Sequence, residues 1–128
     1  MTVAELCLLG MVIIIIGSVA PAKFGGRREY DNANPRDPLF YTPGFRTRAL
    51  GAHQNGYEAF PFFAAAVLLA EMRGVPQGTV DVLAVGFLLA RCGYVLAYWT
   101  DRPNLRSIIW AVALALNIWI FLLPILAR

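Results

Sequence analysis

Residues 48–63 read RALGAHQNGYEAFPFF. The stretch begins like a soluble helix, with Arg48, His53, Gln54, Asn55 and Glu58. Within one turn it becomes AFPFFAAAVLLA, residues 59–70, which reads as membrane interior. A carboxylate at the lip of an apolar span is costly, because a charge that leaves water must find partners or neutralise. Glu58 therefore needs a partner, and the rest of the chain is read for one.

The composition agrees with a bilayer setting. Of 128 residues, 59% are hydrophobic and 15% charged, where an ordinary soluble domain has roughly 25% charged. The charges are segregated: nine of the nineteen fall within residues 23–48. The formal net charge of +3 does not point to nucleic acid. No extended basic patch with interleaved aromatics exists, and membrane loops are often basic for topological reasons. Cys7 and Cys92 lie in apolar segments and read as small buried side chains, not as a disulfide.

Outward from the opening stretch, the pattern predicts four helices in one domain. The first covers about residues 3–22 and includes four consecutive isoleucines, Ile13 to Ile16. A cleaved leader ending near Ser18-Val19-Ala20 is the rival reading. The first five residues hold Glu5 and no Lys or Arg, whereas Lys23, Arg27 and Arg28 follow the apolar run, so a retained helix is expected. Residues 23–46 form a long polar loop. Gly25-Gly26, Asn34-Pro35, Asp37-Pro38 and Pro43-Gly44 break helices there. Phe24, Tyr30, Leu39, Phe40, Tyr41 and Phe45 supply anchors that can pack on helix ends or at headgroup depth. The second helix covers about 47–73, kinked at Pro61; the third about 79–100; the fourth about 105–126, with Pro103 near its start. The expected fold is an all-α, integral membrane, up-down four-helix bundle. The basic residues Lys23, Arg27, Arg28, Arg36, Arg46 and Arg48 on one side, joined by Arg102 and Arg106, outweigh Arg73 and Arg128 on the other. The long loop is thus expected to face the cytoplasm and both termini to face away.

At 100° per residue, Arg48, Gly51, Gln54, Asn55 and Glu58 share an arc of about 120°, and His53 points about 140° away from Arg48. Arg91, Tyr94 and Tyr98 form one stripe on the third helix; Arg106, Trp110 and Asn117 form one on the fourth. Two readings are open. Glu58 and Arg91 can pair across the bundle and only fix its geometry, or the stripes can line a ligand site. Metal-ligand spacing, a Ser-His-Asp or Cys-His arrangement and a phosphate-binding glycine loop are all missing from the sequence. Arg91, Arg106 and Arg48 offer donors for carboxylates, Glu58 an acceptor for an ammonium, Tyr98 or Ser107 a hydroxyl. That complement matches a zwitterionic peptide such as glutathione, whose thiolate the cations would favour. The bilayer could supply a lipophilic second substrate by lateral entry.

These residues also carry a family resemblance. Arg48 followed by Ala52-His53-Gln54-Asn55-Gly56-Tyr57-Glu58 and Pro61-Phe62 resembles the second-helix signature of MAPEG proteins, the membrane-associated proteins of eicosanoid and glutathione metabolism. Arg91 and Tyr98, in RCGYVLAY, resemble its third-helix motif, and Leu105-Arg106-Ser107 its fourth-helix opening. The first loop, with Asn34-Pro35-Arg36, looks most like bacterial members, which implies a bacterial inner membrane. The resemblance implies a homotrimer with glutathione between subunits near the cytoplasmic side. Carried over by position, Asn55 and Glu58 contact glutathione, Arg91 supports the site, Tyr98 and Arg106 bind it, and Arg106 with Ser107 lies by the thiol. Arg48 matches the early second-helix arginine, and Tyr94 stands where some synthases have His. The eicosanoid synthases carry a basic residue just before the Ala-His pair and often another just after the His; here Gly51 and Gln54 stand there. The implied function is a glutathione-dependent transferase or peroxidase acting on a lipophilic electrophile. The alternative is a non-catalytic trimeric membrane protein that binds another small anion or lipid.

Overall fold

The computed structural model describes residues 1–26, 29–42 and 44–126. Arg27, Arg28, Pro43 and Arg128, used above for topology and turns, lie outside the described residues. The chain forms α1 (Val3–Gly25), α2 (Phe45–Met72), α3 (Gln77–Trp99) and α4 (Pro103–Leu126). The expected helices are all present, with ends displaced by at most three residues. α1 runs on to Gly25, where the Gly26 N–H closes on the Ala22 carbonyl and Lys23 sits in the last turn, favourable for the helix dipole. α4 begins on Pro103 itself, where a missing N–H costs nothing. α2 continues as helix through Pro61.

The two sharp reversals share a mechanism. After α2, the Gly74 N–H bonds the Glu71 carbonyl and the Val75 N–H bonds that of Ala70. After α3, Asp101 N–H bonds Tyr98 and Arg102 N–H bonds Ala97 in the same pattern. Both are Schellman closures, which need a left-handed residue just past the helix. Gly74 has φ 70° and Asp101 has φ 56°.

α2 and α3 pack on each other, and both α1 and α4 pack on that pair, while α1 and α4 do not touch among the described residues. The cross-section is a diamond with α2 and α3 on its short diagonal. Between membrane helices the hydrophobic effect adds little, so close approach must supply the attraction. Accordingly the interior is rich in small side chains: Ala4, Ala66, Ala70, Ala84 and Ala113 are buried. Phe63 and Phe87 stack between α2 and α3 with centroids 4.0 Å apart. Large apolar side chains such as Leu9, Ile13, Leu89 and Trp119 are exposed, an outward face suited to lipid. α1, α3 and α4 are each long and apolar enough to cross a membrane. α2 differs because its first half is polar. Its 28 residues span about 42 Å at the usual helical rise, more than the ~30 Å hydrocarbon core, so the polar half reaches headgroup depth.

The loop is ordered on the helix ends. Phe40, Tyr41 and Val19 form a buried cluster with Tyr30 against it, and the Tyr41 hydroxyl donates to the Pro35 carbonyl at 3.0 Å. Arg46 ties the loop to α2: it pairs with Glu29 at 2.6 Å, lies 4.5 Å over the Phe40 ring and donates to the Phe40 carbonyl. Phe24 and Leu39, 75% and 79% exposed, do not pack on the helix ends, which leaves headgroup depth as the place expected for them. Cys7 is buried as expected, but Cys92 is exposed on the outer face of α3, and both are free.

Candidate functional site

The polar stripes of α2, α3 and α4 do converge. Arg91 is 1% exposed in the centre of the bundle. Its Nη2 donates to Asn55 Oδ1 at 2.9 Å, and Asn55 Nδ2 donates to Glu58 Oε2 at 3.1 Å. Glu58 and Arg91 are therefore coupled through Asn55. The direct ion pair considered from the sequence does not form, because Glu58 lies on the exposed side of α2 and the Asn55 amide fills the gap. The Arg91 guanidinium also lies 4.2 Å over the Tyr94 ring, a contact that offsets some of the cost of burying a charge. Its Nε has no partner.

Higher on the same face, Tyr94 and Tyr98 meet edge-to-face at 5.7 Å, and Arg106 lies 4.4 Å over the Tyr98 ring. The Tyr98 ring end rests on α2, where a Cβ built at Gly51 would overlap its hydroxyl. Arg48 donates to the Trp99 carbonyl at 3.4 Å and its Nε is buried without a partner. Arg48, Asn55, Glu58, Arg91, Tyr94, Tyr98 and Arg106 thus occupy one continuous surface of α2, α3 and α4. Ser107 is not part of it in the single protomer: it is exposed one position round the helix from Arg106.

A cavity of about 200 Å³ opens in this surface, walled by Asn55, Glu58 and Phe62 of α2, Phe87 and Arg91 of α3, and Trp110 and Asn117 of α4. Asn117 is absent from the residues that the family resemblance assigns to the site. The α4 stripe of Arg106, Trp110 and Asn117 was the available signal for its place here. Asn117 is 2% exposed and its Oδ1 has no partner.

The other flank of α2 builds a different cavity, about 520 Å³, between α1, the loop and α2. Lys23, Arg36, His53, Gln54 and Tyr57 line it. His53 points away from Glu58 as the helical geometry requires. Its Nδ1 bonds the Ile15 carbonyl at 2.6 Å, and since a carbonyl only accepts, Nδ1 carries the proton. Gln54, placed at the edge of the Glu58 arc from sequence, belongs to this second cavity. Neither cavity holds a cluster of three metal-ligating side chains among the described residues.

One surface therefore offers a carboxylate with free acceptor capacity, three arginines and a tyrosine hydroxyl; the other offers Lys23, Arg36 and an imidazole. The loop cavity sits at the loop end of the bundle and the Glu58 cavity nearer its middle. Such groups recognise a ligand with carboxylates and an ammonium. Compared with known families, residues 3–126 match the model of the MAPEG family. No curated protein and no solved structure gives a match.

Proposed function

Because the chain belongs to the MAPEG family, whose members include glutathione transferases and peroxidases, we propose that it is a membrane-bound, glutathione-dependent enzyme acting on a lipophilic electrophile. The observation that carries this reading is the linked set Glu58, Asn55 and Arg91 beside the stacked pair Tyr98 and Arg106. Glu58 keeps an acceptor oxygen for the ligand's ammonium. The part-exposed guanidinium groups of Arg106 and Arg48 serve its carboxylates. Tyr98 and Arg106 stabilise the thiolate, and Ser107 can join them if a neighbouring copy closes over it. The sulfur then bonds an electrophilic carbon as that carbon's leaving group departs, or takes the terminal oxygen of a hydroperoxide as the O–O bond breaks; the alkoxide released takes up a proton, and a second glutathione converts the sulfenic acid to the disulfide and water. The apolar reactant arrives from the bilayer.

The cations absent at Gly51 and Gln54 have a counterpart on the loop flank, in Lys23 and Arg36. In a homotrimer, rotation would set the loop cavity of one copy beside the Glu58 face of the next, so that two incomplete halves form one site. The long loop faces the cytoplasm of a bacterial inner membrane in this reading, with both termini away from it.

Titration of glutathione into the detergent-purified protein tests the proposal. Saturable binding with growth of thiolate absorbance is expected, and loss of both on Arg106→Ala. Absence of both signals in the wild type ends the reading. A second reading, a non-catalytic trimeric protein that binds another small anion or lipid, is favoured by the Tyr98 ring standing where a side chain at position 51 would project. It prevails if Arg106→Ala leaves every ligand interaction unchanged while Glu58→Ala abolishes assembly.

A further inference from the structure

The last turn of α3 closes most of its carbonyls on the chain that follows. Thr100 N–H bonds the Leu96 carbonyl, Arg102 N–H that of Ala97 and Asp101 N–H that of Tyr98. The Trp99 carbonyl is left over, as the last carbonyls of a helix are. It accepts instead from Arg48 Nη2 of α2 at 3.4 Å, and a cation at this end also suits the helix dipole. The Trp99 side chain is fastened on another side. Its Nε1–H donates to the Ser18 carbonyl of α1 at 2.9 Å, and its ring lies 6.1 Å from that of Phe45. Phe45 opens α2 and Arg48 follows at i+3, so both reach Trp99 from one face of that helix. Trp99 also packs on the cluster of Ala52, Tyr94 and Val95. It thus joins α1, α2 and α3 at the end of the bundle that carries Arg48 and Tyr98.

An indole at headgroup depth serves the interface belt by keeping its N–H in the wet layer. That of Trp99 is turned inward, to a helix carbonyl. We propose that Trp99 is a positioning residue for the ligand site: its indole N–H ties the last turn of α3 to α1, and its carbonyl then holds the Arg48 guanidinium where a ligand carboxylate meets it. The proposal rests on the assignment of Arg48 to a glutathione carboxylate. Arg48 stays part-exposed in this position. An arginine that is already held has less rotamer freedom to lose on binding, and affinity gains by the difference. Without the indole N–H the end of α3 loses its tie to α1, and Arg48 loses a fixed acceptor.

Two readouts on the detergent-purified protein test this. The first needs no glutathione: phenylglyoxal adducts of Arg48 are followed by mass spectrometry, with Arg73, at the opposite end of α2, as the reference. Arg48 is expected to react about fivefold faster in Trp99→Phe than in the wild type, the worth of one ordinary hydrogen bond, and Arg73 at the same rate in both. Equal Arg48 rates, or a matching rise at Arg73, overturn the proposal. The second readout is glutathione affinity. Trp99→Phe should weaken it about fivefold, and in an Arg48→Ala background it should change it no further. The full loss in that background overturns the proposal, since Trp99 would then act other than through Arg48. A wild type that binds no glutathione ends the functional reading instead, and the Arg48 rates still decide whether Trp99 holds the arginine. Should Trp99→Phe fail to fold, 3-benzothienylalanine at position 99, which keeps both rings without the N–H, replaces it in both readouts.

Discussion

Gly51 and Tyr98 compete for one space. A Cβ at position 51 would overlap both the hydroxyl and Cζ of Tyr98, and the ring cannot simply retreat because Arg106 lies over it. Gly51→Ala should therefore cost about 1–3 kcal/mol, the usual penalty for overfilling a packed site. In a Tyr98→Ala background the same substitution should cost much less, and a double-mutant cycle by thermal unfolding in detergent measures the difference. Additive costs would mean that the two residues do not share the space. Arg91 sets a second residue-scale expectation. Its one side-chain hydrogen bond among the described residues is to Asn55, and bonds to charged groups are worth about 1.5–3 kcal/mol. Asn55→Leu should destabilise by about 2–3 kcal/mol on the same assay, because a buried guanidinium is left with less than it had. Glu58→Gln keeps an acceptor for Asn55 and should cost less.

At the scale of elements, the α2–α3 and α3–α4 reversals close by the same hydrogen bonds but with different residues at the left-handed position. Gly74 adopts it freely, whereas Asp101 at φ 56° bears the penalty of its Cβ. Asp101→Gly is expected to raise stability by about 0.5–1 kcal/mol, read as a higher midpoint of thermal unfolding. A lower midpoint would show that the Asp101 side chain contributes more than its backbone strain costs. The first loop is a folded element in its own right, and Arg46 is its fastening through Glu29 and Phe40. Arg46→Ala should accelerate proteolytic cleavage within residues 29–42 severalfold while leaving the unfolding of the bundle nearly unchanged, since local opening draws on local contacts. Equal cleavage rates would place the fastening in the Phe40, Tyr41 and Val19 cluster instead.

At the scale of the molecule, the diamond arrangement leaves α1 and α4 apart and puts the polar half of α2 at one end of the bundle. The loop cavity opens at that end and the Glu58 cavity nearer mid-bundle, on opposite flanks of α2. If the loop faces the cytoplasm, a cysteine at Asn34, in a Cys7→Ala and Cys92→Ala background, should react with a membrane-impermeant maleimide in inside-out vesicles and not in right-side-out ones. The opposite pattern would invert the orientation and move both cavities to the other side of the membrane.

The sequence by itself determined the four helices, their order and the faces they present. Runs such as residues 59–70 can satisfy their backbone in lipid only as helix, and breakers such as Gly74 and Pro103 leave little choice of where helices end. The helical period also separated His53 from Glu58 and aligned Arg91, Tyr94 and Tyr98. Tertiary structure alone decided what those faces meet. Whether Glu58 reaches Arg91 directly or through Asn55 depends on interhelical distance, which periodicity within one helix does not contain. The same holds for the seating of Tyr98 on Gly51, the assignment of Gln54 to the loop cavity, and the burial of Asn117 in the wall of the Glu58 cavity. Each depends on how separate segments pack on one another, which is fixed only when the helices and the loop come together.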